Sequence, residues 1–549
     1  MKPIDIKSFK INFKNNFLFF FSAVAFFCLN MDLYIPALCG TGVALLFCFF
    51  FTIKKPYLWQ ILKNSSVLIS VISFLSSIGI CLKSGMLFFE RWSVSSAVNM
   101  LEDMLPFSVD LPLVTSIIGG IFAFLFIFLC VNFFWIKVKE IFISTKIFDN
   151  IKIFEMIIYF VIFILFFAVI VFSFTHSQAF YKTEHFYDII YTSDSPFLVK
   201  GNAYLTLYHP ENDIRQPLFA VFSAPFTGFP YLLSKVLKSS PCGEAIFLNI
   251  VQLVLLFVSS FVYTKILNFS PVRRICFLLI YLSTYSTILF SLMMEQYVVA
   301  YFWLTLCILA ICKKFGSPSL VFCGASGTLL TSAALLPFIS KHTPLKDFKN
   351  WFLETFHYGL IFVANLFFFG RTDIFLGLTN KVNRFIFFAG HNLSTTDKLI
   401  QFSHFVSNCF TAPDAGVDLT SLDHPSWQLA FPTKFNIVGI TIFSLAIISI
   451  IVNRKKIISQ VSAVWIAFSF VMLVVLGWGT SENGLILYSL YFGWPYLVLL
   501  FQLAEKIEEK LRVKFVIPIL SVIACVGMLI INIPAFKEML DFAITYYPA

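Results

Sequence analysis

What most constrains this chain is a succession of apolar runs, each roughly 15–25 residues long, separated by short polar joins. A run of that length can cross about 30 Å of hydrocarbon as a helix, because lipid offers backbone N–H and C=O groups no partners. The runs fall at 16–30, 33–53, 64–83, 111–135 and 153–175, then at 243–264, 275–293 and 296–312. Five more follow at 352–369, 434–452, 459–477, 482–503 and 515–533. Two apolar segments read differently. Residues 217–236 are interrupted by Pro217, Pro225 and Pro230 and read as re-entrant or interfacial. Residues 318–338 read as a short hairpin bent at Gly324–Gly327, which keeps Lys341, Lys346 and Lys349 on the inner side. The expected fold class is all-α: a polytopic membrane protein with roughly 13–15 membrane-embedded helices. It carries two larger external loops, 176–216 and 371–433.

Composition agrees. Hydrophobic residues make up 59% of the 549 and charged ones 12%, and a soluble chain would need a charged surface about twice as dense. The net charge of +10 does not collect on a basic, aromatic-laced face, which argues against a nucleic-acid partner. Lys and Arg sit instead in alternate joins: Lys54, Lys55 and Lys63, then Lys137, Lys139, Lys146 and Lys152, then Arg454, Lys455 and Lys456. By the positive-inside rule these turns and the N-terminus are cytoplasmic, in a multi-pass protein of the cell membrane. The first apolar run follows Lys7, Lys10 and Lys14 but no small-residue cleavage site follows it, so it reads as a retained helix. The twelve cysteines lie mostly within apolar runs and form no CxxC pair, which suits small buried hydrophobes better than a zinc site or disulfides. No GxxxxGK[ST] loop occurs, which argues against an ATP-driven pump built on this chain alone.

The polar material concentrates in the two external loops. Residues 184–217 hold Glu184, His185, Asp188, Asp194, Lys200, His209, Glu211, Asp213 and Arg215, interleaved with Phe186, Tyr187, Tyr191, Phe197, Tyr204 and Tyr208. A wet loop would be polar anyway, but this one runs straight into the proline-rich apolar segment, so its acids should stand at the mouth of a membrane cavity. Carboxylates beside lipid tend toward raised pKa values, which suits a general base. The second loop carries Arg371, Asp373, Lys381, Arg384, His391, Asp423, His424 and Trp427. Glu295, between two spans, either lines the same cavity or caps a tight outside turn. Glu354 and His357 are only a lone pair on one helix.

An outward helix followed at once by a long acidic external loop and then many helices resembles the GT-C class of integral membrane glycosyltransferases. The layout carries the resemblance over about two-thirds of the chain; Thr192-Ser-Asp194-Ser and His209-Pro-Glu-Asn-Asp213-Ile-Arg215 are its nearest local material. The resemblance implies a core over 153–549 behind an added four-helix region, 1–152. It implies transfer of a sugar from a polyprenyl-phosphate donor to a cell-envelope glycan, lipid or protein at the external face, in keeping with a Lys-, Ile-, Phe- and Asn-rich bacterial chain. Asp188 or Asp194 would be the catalytic acid. Lys200, His209, Glu211, Asp213, Arg215, Glu295 and Arg371 would face the substrates, an arginine meeting the leaving phosphate. No cofactor is certain; a divalent cation could assist through Asp188 and Asp194, although the spacing demands none. Two other readings stand beside it: a transporter or flippase of a lipid-linked or polar solute, and an envelope polysaccharide polymerase.

Overall fold

The structure, a computed structural model, describes residues 65–85, 111–182, 188–200, 203–205, 215–313, 318–340, 347–368, 371, 389–420, 424–481 and 483–549. The expected spans at 16–30 and 33–53 and the candidates His209, Glu211 and Asp213 lie outside the described residues, as does the side chain of Lys200.

The described chain is mostly helical. It opens with α1 (Val67–Ile80), α2 (Leu111–Ser144), α3 (Ile153–His176) and the short α4 (Ser195–Lys200). Then come α5 (Phe219–Val236), α6 (Pro241–Ile266), α7 (Pro271–Ser283), α8 (Tyr285–Leu292), α9 (Tyr297–Lys313) and α10 (Pro318–Thr328). A 3-10 stretch, Leu330–Phe338, leads to α11 (Phe348–Phe368) and α12 (Thr395–Asn408). Strands β1 (Ala415–Asp418) and β2 (Ser426–Leu429) pair antiparallel, Val417 opposite Trp427. The chain ends with α13 (Ile437–Val452), α14 (Ile457–Phe470), α15 (Ser489–Leu511) and α16 (Val516–Tyr546). Among the described residues five helices are long and apolar enough to cross a membrane: α3, α6, α14 with its continuation to Val475, α15 with its lead-in from Leu485, and α16. The bent pair α7–α8 would make a sixth.

The bundle has two dissimilar ends. At the first, which we call the basic end, Lys265 Nζ donates to the Asp149 carbonyl at 2.6 Å and Arg274 pairs with Glu155 at 2.7 Å. Lys313 reaches Asn268 (2.7 Å), Arg273 meets Glu505 and Glu508 (3.1 and 2.5 Å), and Lys456 meets Glu505 (3.1 Å). The turns before α3, between α6 and α7, after α9, before α14 and after α15 therefore share one end. At the other, loop-rich end, Ala549 N–H donates to the His176 carbonyl (3.1 Å), so α3 and α16 also finish together.

Several sequence expectations need correction. The helix α2 runs on to Ser144, through what reads as a basic turn at 137–152; Lys137 pairs with Glu140 one turn on, which suits continued helix. The loop 371–433 is not all loop, and the fold is not purely α. It contains α12, started by a reciprocal cap between Ser394 and Asp397, and the β1–β2 hairpin. Helix α10 passes unbroken through Gly324 and Gly327, and the chain breaks only at Leu329. Those glycines serve contact rather than bending: a Cβ on Gly324 would stand 2.4 Å from the Trp303 ring. Pro225 and Pro230 likewise lie inside α5. Tertiary packing holds that helix together, since Gly228 meets Gly79 of α1 so closely that a Cβ on Gly79 would lie 2.0 Å from the Gly228 carbonyl oxygen. Both ends of α5 are tied to the loop-rich end. Leu218 N–H donates to Gly327 O just beside Arg215, whereas Lys235 pairs with Glu244, next to Cys242, whose thiol donates to the Phe174 carbonyl.

Candidate functional site

The site begins with a broken helix. Between α7 and α8 the axis turns by 66° at Thr284, whose hydroxyl accepts from Thr287 N–H and so starts α8 afresh. A break frees backbone groups that must find partners when buried. Fully buried Asn532 of α16 supplies them: its amide donates to the carbonyls of Ser283 (2.7 Å) and Phe410 (2.9 Å) and accepts from Ala412 N–H. The redirected α8 then carries Met293 and Met294 into the core and leaves Glu295 in the tight turn before α9, 4% exposed.

Glu295 meets the first of the polar segments there. Its Oε1 accepts the backbone N–H of Asp194 at 2.6 Å. Burial pushes the Glu295 carboxyl well above the usual carboxylate range, and the charge of Asp194 pushes the same way. The N–H groups of Asp194 and Gln296 and the charge of Arg215 pull it back, by less. Arg215 stands with its guanidinium 5.3 Å from the centroid of the Trp478 ring, and its carbonyl accepts from Leu330 N–H. Tyrosines close the surroundings. Glu295 lies near enough to Tyr204 and Tyr297 for its charge to act on both. Tyr297 packs at 6.2 and 5.7 Å from Tyr488 and Tyr491, themselves 6.0 Å apart.

The loop that brings Asp194 is held from outside. Asp188 and Tyr191 both adopt positive φ (63° and 54°), which non-glycine residues adopt only where surroundings fix them. Here β2 fixes them: Trp427 N–H donates to Ile189 O, Trp427 O accepts from Tyr191 N–H, and the Gln428 amide donates to the carbonyls of Asp188 and Tyr191. Tyr191 is anchored further by a hydroxyl–hydroxyl bond of 2.5 Å to Tyr285 at the helix break.

Of the residues singled out in the sequence, then, Asp194, Arg215 and Glu295 come together. Asp188 takes part through its backbone. Arg371 is buried after α11, where its N–H donates to Leu366 O. In the sequence Glu295 is marked as a lone acid between two long apolar runs; Asn532, the single amide of α16, is marked by no local pattern. A cavity of about 530 Å3 opens at the same end, but it is lined by residues within 401–438 and 483–486 rather than by 184–217. Among the described residues no three His, Cys, Asp or Glu side chains converge as a metal site would require. No family model, curated protein or solved structure matches this chain.

Proposed function

We propose that the chain is a multi-pass membrane protein, its basic end cytoplasmic, that transfers a sugar from a polyprenyl-phosphate donor at its loop-rich, external end. Two features support the membrane reading. The most apolar stretches of α3 and α16 are only 17% and 22% buried within the protein, leaving Phe160, Leu165, Ile523 and Ile530 exposed. Apolar faces of that extent suit lipid, not water. The clustering of Lys and Arg turns at one end then gives the orientation.

The observation that carries the enzymatic reading is the meeting of Asp194, buried Glu295 and Arg215 at one end only. In this reading Asp194, the more accessible acid, takes the proton from the acceptor hydroxyl as its oxygen attacks the anomeric carbon. Glu295 holds Asp194 in place by accepting its backbone N–H. Arg215, 5.3 Å from the Trp478 ring centroid, faces the phosphate that leaves. Purified protein in liposomes is expected to consume a polyprenyl-phosphate sugar in the presence of an envelope acceptor and to carry no solute across. A second reading, a transporter, draws on one feature: a discontinuous helix pinned by Asn532 beside a buried acid is also how transporters build substrate sites. Solute flux without sugar consumption would decide for it.

A further inference from the structure

The basic end carries more cations than its carboxylates can match. The acids at the end of α15 are all engaged: Glu505 with Arg273 and Lys456, Glu508 with Arg273 and the Ile517 N–H, and Glu509 with Lys506. Arg454, Lys455, Lys510, Arg512 and Lys514 are exposed, and among the described residues none of them forms an ion pair. The Lys456–Glu505 pair (3.1 Å) holds the 454–456 turn against α15, so both sets of cations belong to one rim. Arg512 closes α15 in the left-handed conformation (φ 56°), its N–H donating to the Glu508 carbonyl, at a position where glycine fits with least strain.

Apolar surface adjoins these cations directly. Leu511 and Phe515 bracket Arg512 and Lys514 in the chain and are 61% and 59% exposed. From Phe515 the exposed residues Ile519 and Ile523 follow at four-residue intervals, which places them in one stripe along α16. Ile448, Ile451 and Val452 are likewise exposed at the end of α13, just before Arg454. Bare cations call for an anion, and exposed apolar side chains call for hydrocarbon. A phospholipid with an anionic headgroup supplies both at one place. A soluble polyanion would leave Leu511, Phe515 and the stripe beside them in water.

We propose that this rim binds an anionic phospholipid of the cytoplasmic leaflet, its phosphate meeting Arg512 and Lys514 and an acyl chain lying along Phe515, Ile519 and Ile523. The proposal rests on the membrane reading above and is independent of Asp194, Glu295 and sugar transfer. An arginine fork can take two phosphate oxygens at once, and the neighbouring lysines add attraction without fixed geometry.

The test uses the whole protein in non-ionic detergent, titrated with phosphatidylglycerol or with phosphatidylcholine of the same acyl chains and read by native mass spectrometry. Phosphatidylglycerol is expected to bind about tenfold or more tightly, a preference that should shrink as salt is added. Lys510→Gln, Arg512→Gln and Lys514→Gln together should abolish the preference, whereas Lys398→Gln with Lys434→Gln at the opposite end should leave it unchanged. A phosphatidylglycerol with a diazirine in its acyl chain should label 511–523 in the unmodified protein, a readout that needs no variant to fold. Equal binding of the two lipids, a preference kept by the folded triple variant, or labelling confined to other segments overturns the proposal. So does displacement of the lipid by an equal concentration of glycerol 3-phosphate, which would assign the cations to a soluble anion. Protein that does not float with liposomes would remove the membrane reading and this proposal together, while flotation without a phosphatidylglycerol preference removes this one alone.

Discussion

The two ends of the bundle use the same kinds of charged side chain in opposite ways. At the basic end each buried charge has a matched partner: Arg274 grips both carboxylate oxygens of Glu155 at 2.7 Å and also donates to the carbonyls of Phe269 and Asn150. That arrangement locks α3 to α7 and leaves no proton-transfer chemistry open. At the loop-rich end the buried Glu295 has the backbone N–H groups of Asp194 and Gln296 and another acid for company, with Arg215 acting more weakly. An acid held above its ordinary pKa beside a second one is poised to exchange protons, which is where functional groups tend to gather. Matched charge builds the scaffold; a buried acid beside a second acid marks the candidate site.

The sharpest way to break this comparison is at Asp194. Asp194→Asn is expected to lower sugar transfer by about 10²–10⁴ while leaving the unfolding temperature nearly unchanged, because the amide keeps the shape but accepts no proton. Wild-type transfer would move the base elsewhere. At the basic end the effect should fall on stability alone. Glu155→Ala leaves Arg274 buried without its counter-charge and should cost about 3–5 kcal/mol, read from thermal unfolding. The double change Glu155→Met with Arg274→Met should recover much of that, since a packed apolar pair needs no counter-charge.

A smaller effect separates the ends by pH. Because the folded Glu295 carboxyl has a raised pKa, the folded state binds a proton that the unfolded state has released. Its contribution is therefore complete below the ordinary carboxylate pKa and is lost as pH rises toward the folded one. The slope is at most about 1.4 kcal/mol per pH unit. Glu295→Gln should flatten that part of the stability profile, and a profile that kept its slope would show another group to be responsible. The mildest test is of orientation. Leu419 is 60% exposed in the hairpin. A cysteine at 419 should react with an impermeant reagent in intact cells and one at 455 should not; the reverse pattern would invert the map.

Much of this was legible in the chain itself. Runs such as 153–175 and 515–533 announce helices because an apolar stretch in lipid has no other way to satisfy its backbone. The Lys and Arg turns at 265–274 and 454–456 announce a shared end because positive charge avoids crossing. Asp194 and Arg215 are readable as candidates because polar residues crowd a short stretch between apolar ones. What local pattern could not give was anything that depends on partners distant in sequence. Pro225 and Pro230 suggest a break, yet α5 stays whole because Gly79, nearly 150 residues away, packs against it. Gly324 and Gly327 suggest a bend, but they make room for Trp303 and for Leu218 and Phe222. The break occurs instead at Thr284, which no glycine or proline marks, and it is tolerated because Asn532 reaches its freed carbonyl from the last helix. Glu295 owes its importance to the same event: only the turned axis of α8 brings it under the Asp194 loop. Sequence fixes what each segment prefers alone, whereas the partners of buried polar groups, and hence which preference yields, are set by packing across the whole bundle.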